Sequence, residues 1–113
     1  MADCTWAPFD NGATIGQTGS ELGVIELDEE YASEARITLE RDTRSAPYAI
    51  TCGIYGSMMH TCFLGSHDEA IAQFASMKDD LSNLLDTADK SEESDFGRQV
   101  LLDGIDRFVE KYS

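Results

Sequence analysis

Two cysteines and a histidine stand close together in the stretch ITCGIYGSMMHTCF, residues 50–63. Cys52, His60 and Cys62 are residue types that ligate zinc, and a cysteine beside a histidine can act as an activated nucleophile. Their spacing matches no finger or knuckle pattern, and structural zinc is usually held by four ligands. No metal is expected here. A nucleophilic pair needs sulfur and imidazole within hydrogen-bond reach. His60 and Cys62 are two apart on one strand, so their side chains project in parallel about 7 Å apart.

The elements that carry these residues decide which of them meet. Gly56-Ser57 reads as a two-residue type II′ turn, because glycine tolerates the positive φ of the first central position. Strands 48–55 and 58–64 then pair with Tyr55 opposite Met58 and Thr51 opposite Cys62. Faces alternate along each strand. That register places Cys52, Met59 and Phe63 on a core face, and Tyr55, Met58, His60, Cys62 and Leu64 on an outer face. The preceding strand, EARITLER at 34–41, alternates cleanly: Ala35, Ile37 and Leu39 face the core, while Glu34, Arg36, Thr38 and Glu40 face outward. A four-residue turn would set Arg36 beside Thr51 and Glu34 beside Gly53. The candidate ligand-binding set is therefore Glu34, Arg36, Thr51, Tyr55, His60 and Cys62, all on the outer face.

An earlier strand is expected over 22–28 (LGVIELD), with Ile25 and Leu27 inward and Val24 outward, followed by a turn in DEEYAS. Leu22, Val24, Tyr55, Met58 and Leu64 would make part of the outer face apolar. Exposed apolar patches mark contacts. They form the candidate interface of a homodimer, unless the N-terminal arm covers that face. Residues 1–20 read as an irregular arm anchored by Trp6, Pro8 and Phe9, with a fifth strand around Ala13–Gly16.

After residue 65 the period changes from two to 3.6. Ser66 and Glu69 form a capping box. Ile71, Phe74, Met77 or Lys78, Leu81, Leu84 and Leu85 recur at helical spacing, giving a helix over 67–87. A second helix over 94–111 buries Val100, Leu101, Ile105, Phe108 and Tyr112. Gly97 and Gly104 share one of its faces, where each costs about 1 kcal/mol relative to alanine. Strands followed by helices predict one α+β domain over 1–113: an antiparallel meander of four to five strands, with two C-terminal helices packed on one sheet face.

The bulk composition bounds the partners. Twenty-two acids against eight bases give a net charge of −14, which repels nucleic acid and anionic membranes, and which either serves solubility or a salty habitat or favours a basic protein partner. Residues 66–95 hold nine acids and two lysines, hence −7. The opening MADCTWAPFD has no basic n-region or long apolar run, so no secretion signal is expected. No segment is long and apolar enough to span a membrane. Three cysteines cannot all pair internally, which points to reduced thiols in a cytoplasm. The glycine-rich NGATIGQTGSELG lacks the G-K-[ST] ending of a phosphate loop, so no cofactor is expected. These features predict a small acidic interaction protein without catalysis, of inhibitor or immunity type. The alternative is a small-ligand protein or minor enzyme built on the outer face around Glu34, Arg36, Tyr55 and His60.

Overall fold

A computed structural model describes residues 6–90 and 95–113, with side chains given up to 87 and from 99 onward. One five-stranded antiparallel sheet has the order β1 (Trp6–Pro8), β2 (Val24–Tyr31), β3 (Ala35–Arg41), β4 (Tyr48–Ile54) and β5 (Met58–Leu64). Helices α1 (His67–Lys90) and α2 (Asp95–Lys111) follow. The α+β meander expected from the sequence is thus the observed architecture. Among the described residues, no helix is long and apolar enough to cross a membrane.

The core lies between the sheet and the helices. Ala35, Ile37 and Leu39 of β3 and Ile50, Cys52 and Ile54 of β4 meet Ala70, Phe74, Met77, Leu81 and Leu85 of α1. From α2, Ile105, Phe108 and Tyr112 join them. These positions follow the period of two in the strands and 3.6 in the helices. Ile71 departs from the expected helical stripe and is exposed. The Ser66 hydroxyl accepts a bond from Glu69 N–H at 3.2 Å, capping α1. At Gly104 the Leu84 side chain occupies the space where a Cβ would lie, so α1 and α2 approach closely there. Gly97 and the acids Asp89, Glu92, Glu93 and Asp95 fall outside the described side chains.

The end of α2 is tied to both layers. The Tyr112 hydroxyl donates to Asp80 and lies 2.6 Å from Ser76 Oγ. Lys111 Nζ donates to the same Asp80 oxygen at 2.8 Å. Burial acts to raise the Asp80 carboxyl, but the bonds from Lys111 and Tyr112 outweigh it and hold the group below its usual range.

Two turns and one bulge depart from the sequence reading. The β2–β3 turn lies at Ala32 and Ser33, with φ of 51° and 60°, so β2 runs on through Asp28-Glu29-Glu30-Tyr31. Glu34 N–H closes it on the Tyr31 carbonyl at 2.8 Å. A bulge between Ile25 and Leu27 shifts the β2 register. Ile25 therefore pairs with outward Glu40 while Leu27 pairs with core residue Leu39, so the two do not share a face. The largest change is in the β4–β5 hairpin. Its turn is Tyr55-Gly56-Ser57, with Gly56 at φ 78° and Ser57 N–H bonded to the Ile54 carbonyl at 2.9 Å. Glycine thus fills the second central position, as in a type II turn, rather than the first. Ile54 pairs with Met58, Cys52 with His60 and Ile50 with Cys62.

That one-residue shift moves every β5 side chain to the opposite face. Met58, His60, Cys62 and Leu64 face the helices; Met59, Thr61 and Phe63 face outward. Cys52 and Cys62 consequently share the core face. The fifth strand also differs in place. It is Trp6–Pro8, pairing with Glu29–Tyr31, whereas Ala13–Gly16 lies in turns.

Candidate outer-face cleft

The outer sheet face is organised in rows across the strands. Glu30, Arg36, Gly53 and Met59 form one row; Asp28, Thr38, Thr51 and Thr61 form the next; Ile25, Glu40, Ala49 and Phe63 form a third. Arg36 therefore lies beside Gly53, not Thr51, because the β3–β4 connection is longer than a four-residue turn. Gly53 has little free space above it, since a Cβ there would meet the Met58 carbonyl at 3.1 Å.

Asp28 is the electrostatic centre of this face. Its side chain is fully buried, while that of Arg36 is 34% exposed. Arg36 Nε and Nη2 donate to its two oxygens at 2.9 and 2.6 Å. Thr38 and Thr14 hydroxyls add bonds at 3.0 and 2.8 Å. The bond to Asp28 holds the Arg36 guanidinium above its ordinary range. Such a planar two-point pair fixes the guanidinium in place.

The N-terminal arm covers part of this face. The Phe9 ring lies 3.7 Å from the Arg36 guanidinium carbon, whereas Trp6 packs on Tyr31 on the core side of the sheet, with ring centroids 5.1 Å apart. Further along, the buried Glu40 carboxylate accepts from Glu21 N–H at 3.1 Å and Gly23 N–H at 3.0 Å. Gly19 packs against that carboxylate so closely that a Cβ would collide with it. Gly16 and Gln17 exchange backbone bonds with Ile25 at 2.8 and 2.9 Å.

Between this arm and the exposed part of the sheet lies a cleft of about 490 Å³. Thr38, Thr51, Gly53 and Arg36 line it from the sheet, Thr14, Gln17, Thr18 and Ser20 from the arm, and Tyr55 and Met59 from the hairpin. The Tyr55 hydroxyl donates to Glu30 at 2.8 Å, and burial together with that bond pushes the phenol up to about 12.

Of the ligand-binding residues expected from the sequence, Arg36, Thr51 and Tyr55 meet in this cleft. Glu34 sits in the β2–β3 turn, where its carbonyl accepts from Tyr55 N–H at 2.9 Å. His60 and Cys62 are elsewhere, on the helix side. His60 Nε2–H donates to the Tyr112 carbonyl at 3.0 Å, and Cys62 Sγ lies 3.7 Å from Met77 Sδ. Burial raises both buried thiols, that of Cys52 to about 12, which leaves them poor nucleophiles. Among the described residues, no group of three or more His, Cys, Asp or Glu side chains could hold a metal ion.

The expected interface set also divides. Met58 and Leu64 pack against the core, and Leu22 is exposed on the arm at φ 66°. Val24 pairs with Thr18 of the arm and Arg41 of β3. The sequence reading missed Asp28, Glu40, Thr14 and Thr38 as site-building residues. Asp28 and Glu40 are the acids that the alternation of β2 and β3 placed on a sheet face, and two buried acids there signal fixed partners. No protein-family model matches the chain, and no curated protein or solved structure matches it.

Proposed function

We propose that this chain is a small ligand-binding protein whose cleft lies between the N-terminal arm and the outer face of the sheet. The observation that carries this reading is the 490 Å³ cleft, a size usual for small-molecule sites, with polar side chains arriving from both walls. Its chemistry suits binding rather than bond breaking. Threonine and serine hydroxyls both donate and accept, and Arg36 is already neutralised and held by Asp28. The raised phenol of Tyr55 is a donor, not a base, at neutral pH. Buried, unpaired thiols fit a cytoplasmic setting.

Amide NMR against pools of small polar molecules tests the reading. Binding should shift Thr38, Thr51 and Gly53, and Thr51→Arg should abolish those shifts while leaving the fold intact. Pools that shift no cleft amide would count against it.

A second reading follows from charge. Asp68, Glu69, Asp79, Asp103, Asp106 and Glu110 are exposed on the helices of a chain carrying −14. This surface favours a basic protein partner, as an inhibitor or immunity-type protein would have. Such a complex should form at low salt and be lost at high salt; a salt-independent complex would speak against charge as the basis.

A further inference from the structure

We propose that the free edge of β5 pairs antiparallel with β5 of a second copy, joining two sheets about a twofold axis at Thr61. Among the described residues, β5 has β4 on one side and no strand on the other. An unpaired edge presents a row of backbone donors and acceptors, and folded proteins blunt such edges with charge, proline, bulges or shortness. The opposite edge has two of these devices: β1 is three residues long and ends at Pro8. β5 has none. It is seven residues long, runs in unbroken register with β4, and contains no charged or proline residue.

Its outward side chains are among the most exposed apolar groups of the chain, with Met59 79% and Phe63 48% exposed. Charge selects a second copy as the occupant. The whole stretch from 45 to 67 lacks Asp, Glu, Lys and Arg, although the chain carries −14. Two such acidic bodies repel, and pairing through this charge-free hairpin puts no carboxylate of β4 or β5 at the seam. The strand also complements itself. With Thr61 at the centre, all seven residues of β5 pair, and Met59 of each copy lies opposite Phe63 of the other. Identical antiparallel strands give an isologous, closed twofold contact.

A seam of this length is short of the roughly 1,200 Å² that stable complexes bury, so association should depend on concentration. Screening of the like charges should strengthen it as salt rises. That salt response is opposite to the one expected for a basic partner.

Sedimentation at rising concentration tests the proposal. The mass should climb from 12.4 kDa toward twice that value, more readily at high salt. Met59→Lys and Phe63→Lys should each keep the circular dichroism of the parent and remain monomeric. Mild oxidation of Thr61→Cys should give an interchain disulfide faster than Ser57→Cys, because directly opposed residues lie about 4.5–5.5 Å apart between Cα atoms, within disulfide range. A chain that stays monomeric throughout overturns the proposal and leaves the edge to a different occupant. A dimer that survives Met59→Lys, or a Thr61→Cys dimer that does not cross-link, overturns it as well.

Discussion

Arg36→Ala should destabilise the chain by about 3 kcal/mol at neutral pH, measured by urea unfolding. Asp28 has a fully buried side chain, and the two Arg36 nitrogens supply its charge-assisted bonds. Removing one member of a buried pair leaves the other charge uncompensated, which costs about 3–5 kcal/mol. The lower end applies because Arg36 is one-third exposed and partly screened. Thr14 and Thr38 would remain as neutral donors to Asp28, and these do not replace a cation. Loss of the guanidinium also removes the surface on which Phe9 rests, so the arm should loosen with it. Adding Asp28→Ala to Arg36→Ala should recover part of the loss, since the orphaned charge is then gone. Arg36→Ala costing below about 0.5 kcal/mol, with additive double-variant energetics, would show the pair to be an ordinary surface contact.

This cluster shows how far the sequence reading reaches. The alternation of β3 was legible because Ala35, Ile37 and Leu39 repeat at the period of a half-buried strand. It placed Arg36, Thr38 and Glu40 on the correct face. The helices were legible from the change of period and the Ser66 cap. What stayed hidden depends on local backbone choices that side-chain type does not encode. The turn expected in DEEYAS narrows to Ala32-Ser33, which adopts positive φ without glycine or asparagine, so the continuation of β2 to Tyr31 was not advertised. The bulge between Ile25 and Leu27 turned those residues to opposite faces and put Asp28 beside Thr38. Burial of Asp28 arises from an arm more than ten residues away in sequence, through Thr14. A site made by two distant segments has no local signature. The Gly56 misreading had a different cause. Both the II′ and the type II turn accept glycine, and they differ by one residue in where it falls.

That one-residue difference has a large energetic consequence, which a pair of substitutions would expose. Cys62→Asp should leave the chain substantially unfolded, whereas Phe63→Asp should cost about 1 kcal/mol or less in folding. Cys62 is buried against Met77 with the Gln73 amide 3.6 Å away. A carboxylate there would lose its hydration and gain no cation. Burial of an uncompensated charge exceeds the few kcal/mol of ordinary substitutions. It would consume much of the roughly 5–15 kcal/mol that keeps a domain folded. Phe63 instead projects from the outer face beside Ala49 and is half exposed, so a charge there stays solvated. Far-ultraviolet circular dichroism and urea unfolding would separate the two variants. In the II′ register the order reverses, with Phe63 inside and Cys62 outside. A folded Cys62→Asp beside an unfolded Phe63→Asp would therefore refute the three-residue turn, the shared face of Cys52 and Cys62, and the exposed Met59–Phe63 edge together.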